Sequence, residues 1–341
     1  MRDYLSVGRI LRYVVSLALG VVAINAVFGK RNELSGATSY LDNLRWYWLV
    51  VAAAAEAAAI VAFAALQRRL LAAGHLALDM LTLTGITFAG NAIQNSLPAG
   101  PIFSAIFAFR QFQRRGADEV LASWVLVATA ALSPISLVVL ALVGVAASSG
   151  TASAFNLVGV IVSLVVLAIV IVFLWSRRAP IARRLVRPLR LFQRLFHRPP
   201  GDPKVVIEEA LRKVGAISPS RFDWFVSFFY ALANWGFDIV CLMAAFFAVG
   251  AAVPWRALLL AYAAAQLAAN LPITPGGLGV VEGSLIIGLV AYGGGKEATV
   301  AAVLLYRLLS FWSLLLVGWI SWGLVSWDLR RRPALEQAVP S

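Results

Sequence analysis

The ten residues Asn270-Leu271-Pro272-Ile273-Thr274-Pro275-Gly276-Gly277-Leu278-Gly279 hold two prolines and three glycines, and such a run cannot continue a helix. It lies inside an otherwise apolar, helix-forming region. A related break, Asn95-Ser96-Leu97-Pro98-Ala99-Gly100-Pro101, falls at a similar distance into the first half of the chain. Backbone without regular hydrogen bonds is tolerated at membrane depth only where protein buries it or where it lines a watery cavity. Paired breaks in the two halves of a chain are a sequence pointer to a transport site.

That the surroundings are a membrane follows from composition. The chain is 61% hydrophobic and 13% charged, with a mean hydropathy of +0.84; soluble domains carry about 25% charged residues. Apolar runs of spanning length, about 20 residues, lie near Ile10 to Phe28, Trp46 to Leu66, Val120 to Ala147, Phe155 to Trp175, Trp224 to Gly250 and Thr299 to Trp327. A net charge of +13 could suggest nucleic acid, but the basic residues flank these runs. Placing Arg2, Arg9, Arg12, Arg68, Arg69, Arg110, Arg114, Arg115, the segment 177–221 and Arg330 to Arg332 on the cytoplasmic face follows the positive-inside bias. Arg110 and Arg68 share a face only if the chain between them enters and returns, bending at Leu97 to Pro101.

The expected fold is therefore an all-α polytopic membrane protein, with six spanning helices plus two re-entrant hairpins in an inverted repeat. Eight spans is the alternative. Residues 1–176 form the first membrane half with its re-entrant motif at 91–101, 177–221 a basic cytoplasmic interfacial segment, and 222–341 the second half with its motif at 270–282. Both termini are expected in the cytoplasm and the protein in the plasma membrane. The first apolar run reads as an uncleaved anchor, without a clear small-x-small cleavage site. The single cysteine, Cys241, lies in an apolar run, so it reads as packing and offers no disulfide.

Several polar residues stand at membrane depth. A charge there costs about 2.5–3.5 kcal/mol on insertion scales, so Arg307 needs compensation, and Glu282 is the expected partner. The pair reads either as a static structural contact or as a phosphate-binding arginine shared with Glu282. Thr274 suits a helix cap and Pro275 a first helical position; Gly276, Gly277 and Gly279 either admit a phosphate to the backbone or simply let helices cross closely. Asn91, Asn95, Asn270 and Gln266 are suited to satisfying the broken backbone. Glu56 and Asp238, one in each half, are candidates for ion coupling, or else carboxylates held by Asn234 or a neighbouring tryptophan. His75 and His197 read as solvated, and no metal site or cofactor is expected. At 181–198 apolar and Arg residues alternate at helical spacing, either an interfacial helix among anionic inner-leaflet lipids or a plain topology anchor.

Leu271-Pro272, Thr274-Pro275-Gly276-Gly277-Leu278-Gly279 and Glu282, with Arg307 and Trp312 downstream, resemble the lysylphosphatidylglycerol synthase transmembrane (flippase-like) family. Asn91, Asn95, Leu97-Pro98-Ala99-Gly100 and Arg110 resemble that family's first motif. The resemblance covers nearly the whole chain and implies a lipid-translocating module whose partner is an anionic or zwitterionic membrane lipid. Relatives in which this module adjoins a soluble aminoacyl-transferase domain move the aminoacylated lipid between leaflets. No soluble stretch of this sequence is large enough for such a domain, so lysyl transfer is not expected. On this reading Arg307, Glu282, Thr274, Gly276, Gly277, Gly279, Asn270, Asn91, Asn95, Pro98, Gly100 and Arg110 contact the headgroup. No Walker-type loop is present. A membrane-embedded transferase with Glu282 or Asp238 as base is the runner-up, and a lipid-binding accessory subunit a third reading; oligomeric state is left open.

Overall fold

The computed structural model describes residues 44–97, 99–148, 217, 219–269 and 274–336. The expected spans at Ile10 to Phe28 and Phe155 to Trp175, the interfacial stretch 181–198, Pro98 and Asn270 lie outside them. The described chain is helical, with four helices long and apolar enough to cross a membrane. These are α1 (Trp46–Ala73), α4 (Glu119–Ser148), α5 (Arg221–Ala248) and a long unit made of α8 (Lys296–Arg307), a π-turn (Leu308–Ser313) and α9 (Leu314–Glu336). Each covers an apolar run expected to span.

Between the long helices lie four short ones, α2 (Met80–Ser96), α3 (Gly100–Gln113), α6 (Trp255–Ala269) and α7 (Val280–Ala291). At 1.5 Å per residue the 17, 14, 15 and 12 residues of these helices rise about 25, 21, 22 and 18 Å, against a hydrocarbon core of about 30 Å. Helix α2 packs on α3, and α6 on α7. The feet of the first pair come together, with Leu121 against Gly74 and Leu76 against Gly116, around a depression also lined by Ile217. Leu97 is extended before Pro98, as a residue preceding proline prefers, and Ala99 is left-handed at φ 54°. The Gly100 N–H closes the turn on the Leu97 carbonyl at 3.0 Å.

Helices α1 and α5 form the centre and run antiparallel. Three ties along their length fix this: the Arg45 N–H donates to the Ala248 carbonyl (2.9 Å), Asn234 Nδ2 to the Ala59 carbonyl (3.0 Å), and Arg69 pairs with Asp223 (2.7 Å). Small residues Ala52, Ala55, Ala244, Ala245 and Ala248 are buried in the shared core, which lets two backbones approach where lipid gives no hydrophobic drive to association. A capping box starts α5: Ser220 Oγ accepts from Asp223 N–H while Asp223 Oδ2 accepts from Ser220 N–H.

Around that centre the contacts are reciprocal. Helix α9, which follows the second short pair, packs on α2 of the first; α4, which follows the first pair, packs on α6 of the second. Each crossing has a glycine at its closest backbone approach. A Cβ on Gly318 would lie 2.4 Å from the Phe88 carbonyl oxygen, and one on Gly144 2.7 Å from the Leu260 nitrogen, so both crossings place backbone directly on backbone.

Candidate functional site

Residues 274–279 of the second break form a compact turn and not the start of a long helix. Gly276, Gly277 and Gly279 have φ of 60°, 68° and 81°, left-handed values that a right-handed helix cannot contain and that only glycine adopts without strain. Helix α7 therefore begins at Val280, later than Thr274-Pro275 suggests. Pro275 opens a single 3₁₀ turn, Pro275–Gly277, and Thr274 does not cap it; the threonine Oγ1 donates instead to the Leu278 carbonyl at 2.9 Å. The N-cap of α7 is Gly279, whose N–H donates to Glu282 Oε2 at 2.7 Å. The carboxylate thus sits on the positive end of its own helix.

The other Glu282 oxygen holds Arg307. Its Oε1 accepts from Arg307 Nε at 2.6 Å, Arg307 Nη2 donates to the Gly276 carbonyl at 3.2 Å, and the guanidinium lies 4.7 Å from the centre of the Phe311 ring. Arg307 is only 8% exposed. Ion pair, carbonyl and aromatic face together supply the compensation that a membrane-depth cation requires. Phe311 belongs to the π-turn that starts directly after Arg307; such turns displace the following residues and occur often at functional positions.

The two breaks meet here. A Cβ on Gly276 would fall 2.3 Å from Phe311 Cε2 and 3.2 Å from Asn95 Oδ1, so Gly276 fits between the π-turn and the end of α2. Asn95 donates to Asn91 Oδ1 (2.7 Å), and Trp319 of α9 donates to Ser96 Oγ (3.1 Å). Gly277 is buried, with Ala269 and Val281 filling the space beside it, whereas Gly279 is exposed with nothing within 4 Å of a Cβ position. Gly277 therefore serves close packing against α6, and Gly279 is the glycine that leaves backbone open. Gly100 is buried at the first turn. Arg110 is not gathered into the site: it lies exposed in the last turn of α3, ten residues or about 15 Å along the helix from the break.

A second polar cluster lies beside the first, between α1, α5, α6 and α8. Asp238 Oδ2 accepts from the Tyr262 hydroxyl, from Tyr306 OH at 3.1 Å and from Gln266 Nε2 at 3.2 Å. Glu56, 6% exposed, is within hydrogen-bonding reach of Asp238 and of Cys241. Asn234 and Trp235 do not hold these acids; they donate to the Ala59 and Ser133 carbonyls. Gln266 Nε2 donates to Asp238 and to Tyr306. Tyr262, Tyr306 and Phe311 escape sequence reasoning because aromatic residues are ordinary in spanning helices. Their signals were present: Tyr262 stands four residues before Gln266, on one helix face, and Tyr306 directly precedes the intramembrane arginine. Among the described residues no group of three His, Cys, Asp or Glu side chains could hold a metal ion.

Long apolar helices, short helices broken by proline and glycine, and an ion pair held at the break define a multi-pass protein embedded in the membrane. Residues 9–318 match the family described as Lysylphosphatidylglycerol synthase TM region, and the chain belongs to that family, which points to a function connected with membrane lipid. It is also similar to a "UPF0104 membrane protein" of Methanothermobacter thermautotrophicus, 36% identical over 97 residues. That match spans 28% of this chain and 27% of the relative.

Proposed function

We propose that this protein moves phosphate-bearing lipid headgroups between leaflets, with the acyl tails remaining in the bilayer while the headgroup crosses a polar furrow between the two breaks. The observation that carries this reading is the Arg307 site. A cation 8% exposed is neutralised by a carboxylate that a phosphate could replace, and it stands where Gly276 of one break touches Asn95 of the other. Gly279, exposed beside it, leaves backbone accessible to a headgroup.

The architecture supports the reading. Short helices packed in pairs, the first pair with adjacent feet, fit re-entrant hairpins, and the antiparallel α1–α5 centre with reciprocal α2–α9 and α4–α6 crossings fits an inverted-topology repeat, in which one half rocks against the other around a fixed site. We place the protein in the plasma membrane with six spans, both termini cytoplasmic, and its basic segment 181–198 against anionic inner-leaflet lipids. A transferase would need a free general base. Glu282 is engaged at both oxygens, by Arg307 and by the Gly279 N–H, which supports a positioning role for it.

The test is leaflet exchange in proteoliposomes, read by chemical quenching of headgroup-labelled phosphatidylglycerol and phosphatidylethanolamine. Wild type should expose inner-leaflet probe, and Arg307→Ala should abolish the exchange while still inserting and eluting as a folded protein. Wild-type exchange rates in that variant would refute the site. A wild-type-dependent change in lipid mass would replace translocation by catalysis.

A further inference from the structure

The Arg307 site does not use the carboxyl groups of Glu56 and Asp238, which come from the two antiparallel central helices and lie within hydrogen-bonding reach of each other. Donors are unevenly shared. Asp238 Oδ2 receives Tyr262, Tyr306 and Gln266, whereas Glu56 Oε2 and Asp238 Oδ1 are buried with no donor from the described protein. Two ionised carboxylates in contact, each with a buried oxygen lacking a donor, would be strongly unfavourable at membrane depth. One proton between them removes both problems, because a protonated carboxyl is itself a donor.

We propose that Glu56 and Asp238 form one proton-binding site, holding a single proton between them, and that this proton is the ion coupled to headgroup movement. The coupling rests on the translocation reading above; the proton site does not. The titratable and charged neighbours are Cys241 on α5, Tyr262 on α6, and Tyr306 and Arg307 on α8. Helix α4, packed on both central helices, carries its only acid, Glu119, in its first turn, and α2 and the π-turn bring no titratable side chain. Glu56 is buried, and Asp238 as a residue is half-buried.

Loading takes a proton from water onto a carboxylate oxygen, and unloading returns it, so the pair alternates between one negative charge and two. Arg307 feels both carboxyl groups electrostatically, and its neighbour Tyr306 is hydrogen-bonded to Asp238. The doubly charged pair draws Arg307 towards itself and competes with phosphate; the protonated pair releases that hold. Proton and headgroup therefore favour the same state, and they should move together.

Two readouts on the full-length protein test this. Infrared difference spectroscopy in lipid nanodiscs at neutral pH should show a protonated-carboxyl stretch that shifts in heavy water and disappears in both Glu56→Gln and Asp238→Asn. Its absence in wild type overturns the proposal without need of the variants. In sodium-free proteoliposomes with the membrane potential clamped, a pH difference of about one unit should bias the leaflet ratio of labelled phosphatidylglycerol about tenfold, the value for one proton per lipid. Glu56→Gln should abolish that bias. Exchange indifferent to the gradient, or requiring sodium, overturns the coupling. No exchange of any lipid, with the carboxyl band intact, refutes the translocase reading and the coupling with it while the proton site stands.

Discussion

The Arg307–Glu282 pair makes a quantitative prediction, because the structure shows what each partner keeps when the other is removed. Glu282→Ala leaves the guanidinium, 8% exposed, with only the Gly276 carbonyl and the Phe311 face. At an effective dielectric of about 20 and charge centres about 4 Å apart, the lost attraction is about 4 kcal/mol, and orphaning one partner of a buried pair costs about 3–5 kcal/mol. Arg307→Ala should cost less, about 1–3 kcal/mol, since Glu282 retains the Gly279 N–H and the dipole of α7. The double variant should recover about 2–3 kcal/mol relative to the sum of the single changes. Thermal unfolding in lipid nanodiscs, followed by tryptophan fluorescence with a calibrated denaturant series, measures this cycle. Additivity within about 0.5 kcal/mol would refute the argument, because the guanidinium would then be compensated without the carboxylate.

Three further outcomes follow from other parts of the structure. Gly276→Ala forces a side chain into a φ of 60° and towards Phe311, so it should destabilise by about 1–3 kcal/mol and stop lipid exchange; wild-type melting and exchange would show the turn to be plastic. Gly144→Leu and Gly318→Leu, at the two equivalent crossings, should each loosen their own helix pair and lower the unfolding temperature to a similar extent; an effect at one position alone would argue against the reciprocal packing. In a Cys241→Ala background, cysteines at Ala77 and Arg114 should be labelled from one side of the membrane and a cysteine at Gly295 from the other. Opposite labelling of Ala77 and Arg114 would make α2 and α3 a crossing and end the hairpin reading.

The apolar runs and the proline-glycine breaks were legible in the sequence because a bilayer imposes simple rules: a spanning helix needs a fixed length of apolar residues, and helix-breaking residues at that depth must be accommodated by other protein. For the same reason Arg307 announced itself, and Glu282 was identifiable as its partner. The local geometry of the second break was only half legible. Proline at 275 suggested a helix start, but three demands for positive φ within four residues, at Gly276, Gly277 and Gly279, delay α7 to Val280 and turn the Gly276 carbonyl onto Arg307.

Tertiary structure alone decided which residues meet. Sequence spacing carries no information about contacts between segments far apart in the chain, so nothing local placed Gly276 against Asn95, separated Arg110 from the break, or brought Glu56 to Asp238 and both to Tyr262 and Tyr306. Those contacts depend on α1 and α5 running antiparallel at the centre and on glycines that allow α4 and α9 to cross onto the opposite pair of short helices. The bilayer selects which residues can be inside it, but it acts alike on every apolar side chain and so cannot choose among their partners. That choice is made by close packing and by buried polar groups that must find one another.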